Sequence, residues 1–168
     1  MITLPREDNP MSETTNKTNT NNQPIDILLV EDNEADIKVT LRAFEKAKIK
    51  NNISVARDGE EAIDYIYHQS KYTDKKKFPL PDLILLDIQL PKLDGFAVLK
   101  RLKEDKKFKL IPVVMLTSSK SEEDVAESYR DGAVSFIQKP VNYEEFEKIV
   151  DGFNFYWHII NKIPHLEA

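Results

Sequence analysis

Asp87 closes the apolar run Leu83-Ile84-Leu85-Leu86, and Glu31 and Asp32 close a second run, Ile27-Leu28-Leu29-Val30. Continuous apolar runs of this kind read as parallel strands buried on both faces. A carboxylate just past the carboxyl end of such a strand sits where open α/β sheets place their ligands. Three acids brought to one sheet edge repel one another unless a cation or a proton neutralises them. Two more polar residues end strand-like runs: Thr117 follows Val113-Val114-Met115-Leu116, and Lys139 follows Phe136-Ile137-Gln138 and precedes Pro140. A pocket of three acids, a hydroxyl and an ammonium suits the transfer of a phosphoryl group to Asp87. Carboxylates are hard oxygen ligands for Mg²⁺, which screens repulsion between Asp87 and an incoming phosphate. Lys139 adds a fixed positive charge and Thr117 a short donor, and acyl phosphates on carboxylates are an established form of covalent catalysis. Taken singly, a strand-end Asp caps a helix, a Thr ends a turn and a Lys is solvated. The combination is what points to a site.

The elements that must position these residues alternate along the chain. Strands are expected at Ile25 to Glu31, Ile53 to Arg57, Leu83 to Leu86, Pro112 to Leu116 and Val134 to Ile137. After the first strand, Asn33 can cap a helix in which Ile37, Leu41 and Phe44 recur at helical spacing. Asp58 caps a second helix through Ala62, Ile63 and Ile66, and a third runs from Phe96 to Lys106. Ser121-Glu122-Glu123-Asp124 opens a fourth, and Asn142 with Glu145 three residues on opens a long fifth. Five βα units joined by short connections imply a doubly wound α/β fold, flavodoxin-like with strand order 2-1-3-4-5. That order sets the first and third strands side by side at the switch point. The connection from Tyr72 to Pro81 is unusually long; it reads equally as a solvated basic loop or as a partner contact. The basic residues from Lys100 to Lys109 read as the wet face of the third helix. The Lys139-Pro140 bond is open to the cis form, which only X-Pro bonds adopt cheaply.

Composition narrows the classes. A chain of 168 residues supports one full core. A formal charge of -5 argues against direct binding to nucleic acid or anionic membrane. With no cysteine, disulfides and thiolate metal sites are excluded. Apolar stretches fall far short of the ~20 residues that span a bilayer, so the chain reads as soluble and cytoplasmic. Residues 1–24, rich in Thr, Asn and charge, read as a disordered tail, and 25–168 as one domain. Either Met1 or Met11 can be the native start.

The ordered set Val30-Glu31-Asp32-Asn33, Asp87 with Leu90-Pro91 and Asp94-Gly95, Thr117-Ser118-Ser119 and Lys139-Pro140 resembles the receiver domain of two-component response regulators, over about residues 25 to 160. The resemblance implies a phosphorelay switch in which Asp87 takes phosphate from a sensor histidine kinase. It further implies Mg²⁺ on Asp32, Asp87 and the backbone carbonyl of Gln89, with Glu31 acting through water. Thr117 and Lys139 would bind the phosphoryl group, and Phe136 falls at the switch aromatic. Gln89 and Ser119 would tune a slow self-hydrolysis. Glu31 stands where Asp is frequent, Leu90 where Met is common, and Phe136, unlike the more usual Tyr, offers no hydroxyl. The long Tyr72 to Pro81 loop and the aromatic-rich Gly152 to Pro164 tail look like the small regulators paired with bacterial phytochrome-type kinases.

Output is expected through contacts, by a phosphorylation-dependent change in the surface of the fourth helix, fifth strand and fifth helix. In that last helix Phe146, Ile149, Val150, Phe153, Trp157 and Ile160 form one apolar stripe, which should face the sheet. Phe155, Tyr156, Ile159 and Ile163 form a second, whose exposure would make the helix a homodimer interface. The alternative is a bend that buries both stripes. His158 and His165 lack carboxylates at ligand spacing. A haloacid-dehalogenase-type phosphatase would need an Asp two positions after Asp87, where Gln89 stands. A pure interaction module would not need the acids, Thr117 and Lys139 together, and no Gly-rich phosphate loop supports a nucleotide-binding fold.

Overall fold

The computed structural model describes residues 24–46, 50–118, 121–142 and 144–148. Five strands, β1 (Ile25–Val30), β2 (Asn51–Ala56), β3 (Leu83–Asp87), β4 (Val113–Thr117) and β5 (Ser135–Gln138), form one parallel sheet in the order β2-β1-β3-β4-β5. Among the described residues α1 (Glu34–Lys46), α2 (Gly59–Ile66), α3 (Gly95–Glu104) and α4 (Glu122–Arg130) connect or flank them, with a short 3-10 turn at Ser70–Tyr72. Residues 144–148 are also helical. This is the flavodoxin-like topology expected from the sequence. The second apolar stripe proposed for the last helix, the first stripe beyond Phe146, and Ser119, His158, His165 and residues 1–23 lie outside the described residues.

Alternation along each strand divides the apolar runs between two cores. Leu28, Val30, Ile84, Leu86, Val113 and Met115 face α2 and α3, where Ala62, Ile63, Ile66, Val98, Leu99 and Leu102 are buried. Ile27, Leu29, Leu83, Leu85, Val114, Leu116 and Ile137 face α1, packing with Ile37, Ala43 and Phe44. Phe146 joins the second core and meets Phe44 edge-on with ring centroids 4.0 Å apart. Burial on both faces is why these runs show no polar alternation.

The caps are local and follow the sequence. Asp58 accepts a hydrogen bond from the Glu61 amide at 2.8 Å, Asp94 from Ala97 at 2.9 Å, and Ser121 from Asp124 at 3.4 Å. Asn33 accepts from Asp36 at 3.0 Å and Asn142 from Glu145 at 2.8 Å. The long loop after α2 is folded onto the domain. Asp74 accepts from the Lys76 and Lys77 amides, Phe78 packs on Tyr65 and Tyr72, and the Tyr65 hydroxyl donates to Pro79 O at 3.1 Å. Lys75, Lys76 and Lys77 remain exposed at its tip. Lys103 departs from the expected wet face: its ammonium is half-buried and donates to Lys109 O at 2.9 Å and Ile111 O at 2.8 Å. Burial lowers its pKa.

Candidate functional site

The same alternation that sends Leu29, Leu85 and Ile137 toward α1 sends the residues two positions on, Glu31, Asp87 and Lys139, to that side of the sheet. β1 pairs with β3, and the ladder from β4 to β5 runs one residue past β5, where the Lys139 amide donates to Thr117 O at 2.7 Å. Three residues from distant parts of the chain therefore meet. Lys139 Nζ donates to Asp87 Oδ2 at 2.7 Å and to Asp36 Oδ2 at 3.1 Å. It also lies 2.6 Å from Glu31 Oε2, a contact of charge rather than an aligned hydrogen bond. The Lys139-Pro140 bond is cis.

An open cavity of about 680 Å³ surrounds this cluster, lined among others by Glu31, Asp32, Asp36, Asp87, Gln89, Ser118 and Lys139. Glu31 is only 1% exposed and Asp87 4%, whereas Asp32 is exposed. Asp87 Oδ1 accepts from the Gln89 amide at 3.1 Å, and Glu31 Oε1 from the Asn33 amide at 3.1 Å. The loop after β3 is pressed against its own strand. A Cβ at Gly95 would lie 2.1 Å from Asp87 O, and one at Gly59 1.9 Å from Leu93 O. Only glycine permits these approaches.

Electrostatics follow from burial. Desolvation pushes the Glu31 carboxyl up to about 7, with the Asp87 charge adding to the rise and Lys139 opposing it. Burial alone would lower the Lys139 ammonium, but its contacts with Asp87 and Glu31 outweigh that and hold it above the ordinary lysine value.

Oxygen atoms of Glu31, Asp32 and Asp87 all lie within 4.8 Å of one another, a donor set of hard oxygens suited to a divalent cation such as Mg²⁺. Glu31 Oε2 is buried without an aligned hydrogen bond, its charge met at 2.6 Å by the Lys139 ammonium. The residues present fit such an ion.

Thr117 and Phe136 occupy the other face. Thr117 is buried and has the parity of Met115, which pairs with Phe136 across β4 and β5. Phe136 packs against the α2–α3 core. From the end of β4 it is Ser118, not Thr117, that lines the cavity. Sequence reasoning missed Asp36. The available signal was its place in the first turn of the helix that follows an acidic strand end.

Residues 27–151 match the response regulator receiver domain family. The chain belongs to that family. Receiver domains are in general phosphoacceptors that bind Mg²⁺ in an acidic pocket and interact with sensor histidine kinases. Among similar proteins, response regulator Rcp1 of Synechocystis sp. is 38% identical over 136 residues, covering 81% of this chain and 90% of Rcp1. The bacteriophytochrome response regulator RtBRR superposes with a TM-score of 0.70 at 39% identity, covering 77% of each chain. The Mn²⁺-bound form of Rcp1 superposes with a TM-score of 0.65 at 36% identity, covering 86% of this receiver and 100% of that chain. Among the described residues, no helix of the receiver is long and apolar enough to cross a membrane.

Proposed function

We propose that this receiver is the phosphorylatable switch of a two-component pathway, with Asp87 as the acceptor. The observation that carries this reading is the meeting of Asp87 with Lys139 at 2.7 Å beside the oxygens of Glu31 and Asp32. An Asp87 carboxylate oxygen attacks the phosphorus of a phosphohistidine. The new O–P bond forms as the P–N bond breaks, and the imidazole leaves with that electron pair. Lys139 neutralises charge on the arriving phosphoryl oxygens. Glu31, Asp32, Asp87 and the Gln89 carbonyl would hold Mg²⁺, with Glu31 reaching it through water in the family pattern. When bound, the ion offsets repulsion between acceptor and phosphate. The Mn²⁺-bound form of Rcp1 supports a divalent ion here.

The switch then couples Thr117 to Phe136. Their shared face lets Thr117 turn toward the phosphoryl group while Phe136 packs into the space it leaves, and this alters the surface of α4, β5 and the last helix. The cognate kinase is of the phytochrome type, as the bacteriophytochrome regulators among the similar structures suggest. A domain from residue 25 onward dimerises through its last helix in the cytoplasm, and its phosphoryl group is lost slowly under the control of Gln89 and Ser119.

The test is intact-protein mass after incubation with Mg²⁺ and acetyl phosphate. One added phosphoryl group, absent in Asp87→Asn, is expected. Multiple turnovers of donor without a stable adduct would favour a phosphatase, and no reaction would leave a bare interaction module. Sedimentation of dilute protein tests the dimer, and a strict monomer with and without phosphate would end that part.

A further inference from the structure

Lys139 shares two of its three acidic partners with the divalent cation. Glu31 Oε2 and Asp87 Oδ2 lie 2.6 and 2.7 Å from its ammonium, and both residues belong to the oxygen cluster suited to the ion. Asp36 does not belong to that cluster, yet its Oδ2 lies 3.1 Å from Nζ. It projects from the first turn of α1 and its side chain is 41% exposed, against 12% for Lys139. The ion and the ammonium draw on the negative charge of the same two carboxylates, so entry of the ion weakens the hold of Glu31 and Asp87 on Lys139. The ammonium must then keep one carboxylate or leave for water.

We propose that Asp36 is a positioning residue that retains the Lys139 ammonium at the mouth of the pocket when a divalent cation takes Glu31 and Asp87. The inference rests on the metal site proposed above. Its consequence concerns exchange of partners: with Asp36 present, Lys139 gives up Glu31 and Asp87 for a carboxylate already in contact. Without it, Lys139 holds to them and opposes the ion. Asp36 thus acts on the metal through Lys139, not as a ligand.

A double-mutant cycle on the full chain separates this from simple loss of a nearby charge. Mn²⁺ binding is followed by the signal of the free ion for the native chain, Asp36→Asn, Asp36→Glu, Lys139→Met and the Asp36→Asn/Lys139→Met pair. Asp36→Asn is expected to weaken binding about threefold to fivefold, the range an ion pair with one exposed partner supports. The loss should vanish in the Lys139→Met background, and Asp36→Glu should bind like the native chain. An equal loss in both backgrounds, or none in the native one, overturns the proposal. Absence of Mn²⁺ binding by the native chain is a different failure, since it removes the metal site itself. If Lys139→Met does not fold, the ammonium proton resonance of Lys139 in the Mg²⁺-loaded protein serves instead. It should resist exchange with water in the native chain and lose that protection in Asp36→Asn; rapid exchange in both overturns the proposal.

Discussion

Replacing Lys139 with Met retains most of the buried stem and removes the ammonium that faces Glu31, Asp36 and Asp87. At 2.6 and 2.7 Å, and with an effective dielectric near 20, each of the two buried contacts has a gross attraction of about 6 kcal/mol. Most of that is offset, because the folded protein no longer desolvates an ammonium and the acids can relax by taking a proton. Truncation of one partner of a buried pair costs about 3–5 kcal/mol. Glu31, already raised to about 7, accepts a proton readily, which places the loss near the lower bound, about 3 kcal/mol at pH 8. With a urea dependence of about 2 kcal/mol per molar, the midpoint should fall by about 1.5 M. The sign of the pH effect follows from Glu31. An acid whose folded pKa lies above its unfolded value stabilises the fold less as pH rises from 4.5 to about 7. Removing Lys139, which opposes that rise, extends the window upward. The gap between variant and native protein should therefore narrow at pH 5.5 and widen at pH 8. Mg²⁺ should bind the variant more tightly, because no ammonium has to be displaced, and should restore part of the lost midpoint. A midpoint unchanged in metal-free buffer at pH 8, or weaker Mg²⁺ binding by the variant, would refute the reasoning.

Three further outcomes are expected. Gly95→Ala sets a Cβ 2.1 Å from Asp87 O, so it should cost about 3 kcal/mol in urea unfolding and slow phosphoryl uptake; a fully active, stable variant would contradict the packing. Tyr72→Phe removes the hydroxyl that donates to the Glu61 carboxylate, at a cost of about 1.5–3 kcal/mol near neutral pH. Burial would raise the Glu61 pKa, but this bond and others hold it below 4.5. The stability it adds is present above the unfolded value and lost as pH falls through the folded one. The deficit of Tyr72→Phe should therefore shrink in acid, and a pH-independent deficit would refute the assignment. Phe146→Ala empties a site where an edge-on ring contact at 4.0 Å joins the start of the last helix to α1. About 3–5 kcal/mol should be lost in thermal or urea unfolding, and a loss under 1 kcal/mol would mean that the helix is held elsewhere.

Four helix caps were legible because each is a contact across three residues: Asn33, Asp58, Ser121 and Asn142 act within their own turn. Strand order was legible because continuous apolar runs and short connections leave few topologies. β2 begins two residues earlier than its apolar pattern, at Asn51, since backbone pairing with Ile25 and Asp26 needs no apolar side chain. Asp36 escaped notice because its partner lies 103 residues away. Lys103 was placed on the wet face because the carbonyls it meets belong to the turn that follows, not to its helix. The placement of Thr117 with the acids reflects strand ends read as equivalent. The register pairs it with Gln138 and gives it the parity of Met115, whose own partner is Phe136.

The most direct measurement is the position of the phosphoryl linkage. After reaction with acetyl phosphate and Mg²⁺, borohydride reduces an aspartyl phosphate to homoserine, and peptide sequencing by mass locates it. Homoserine at position 87 is the expected result, with none in Asp87→Asn. A stable phosphoryl group on Ser118 or Thr117, or homoserine at Asp32 or Asp36 with Asp87 intact, would contradict the account.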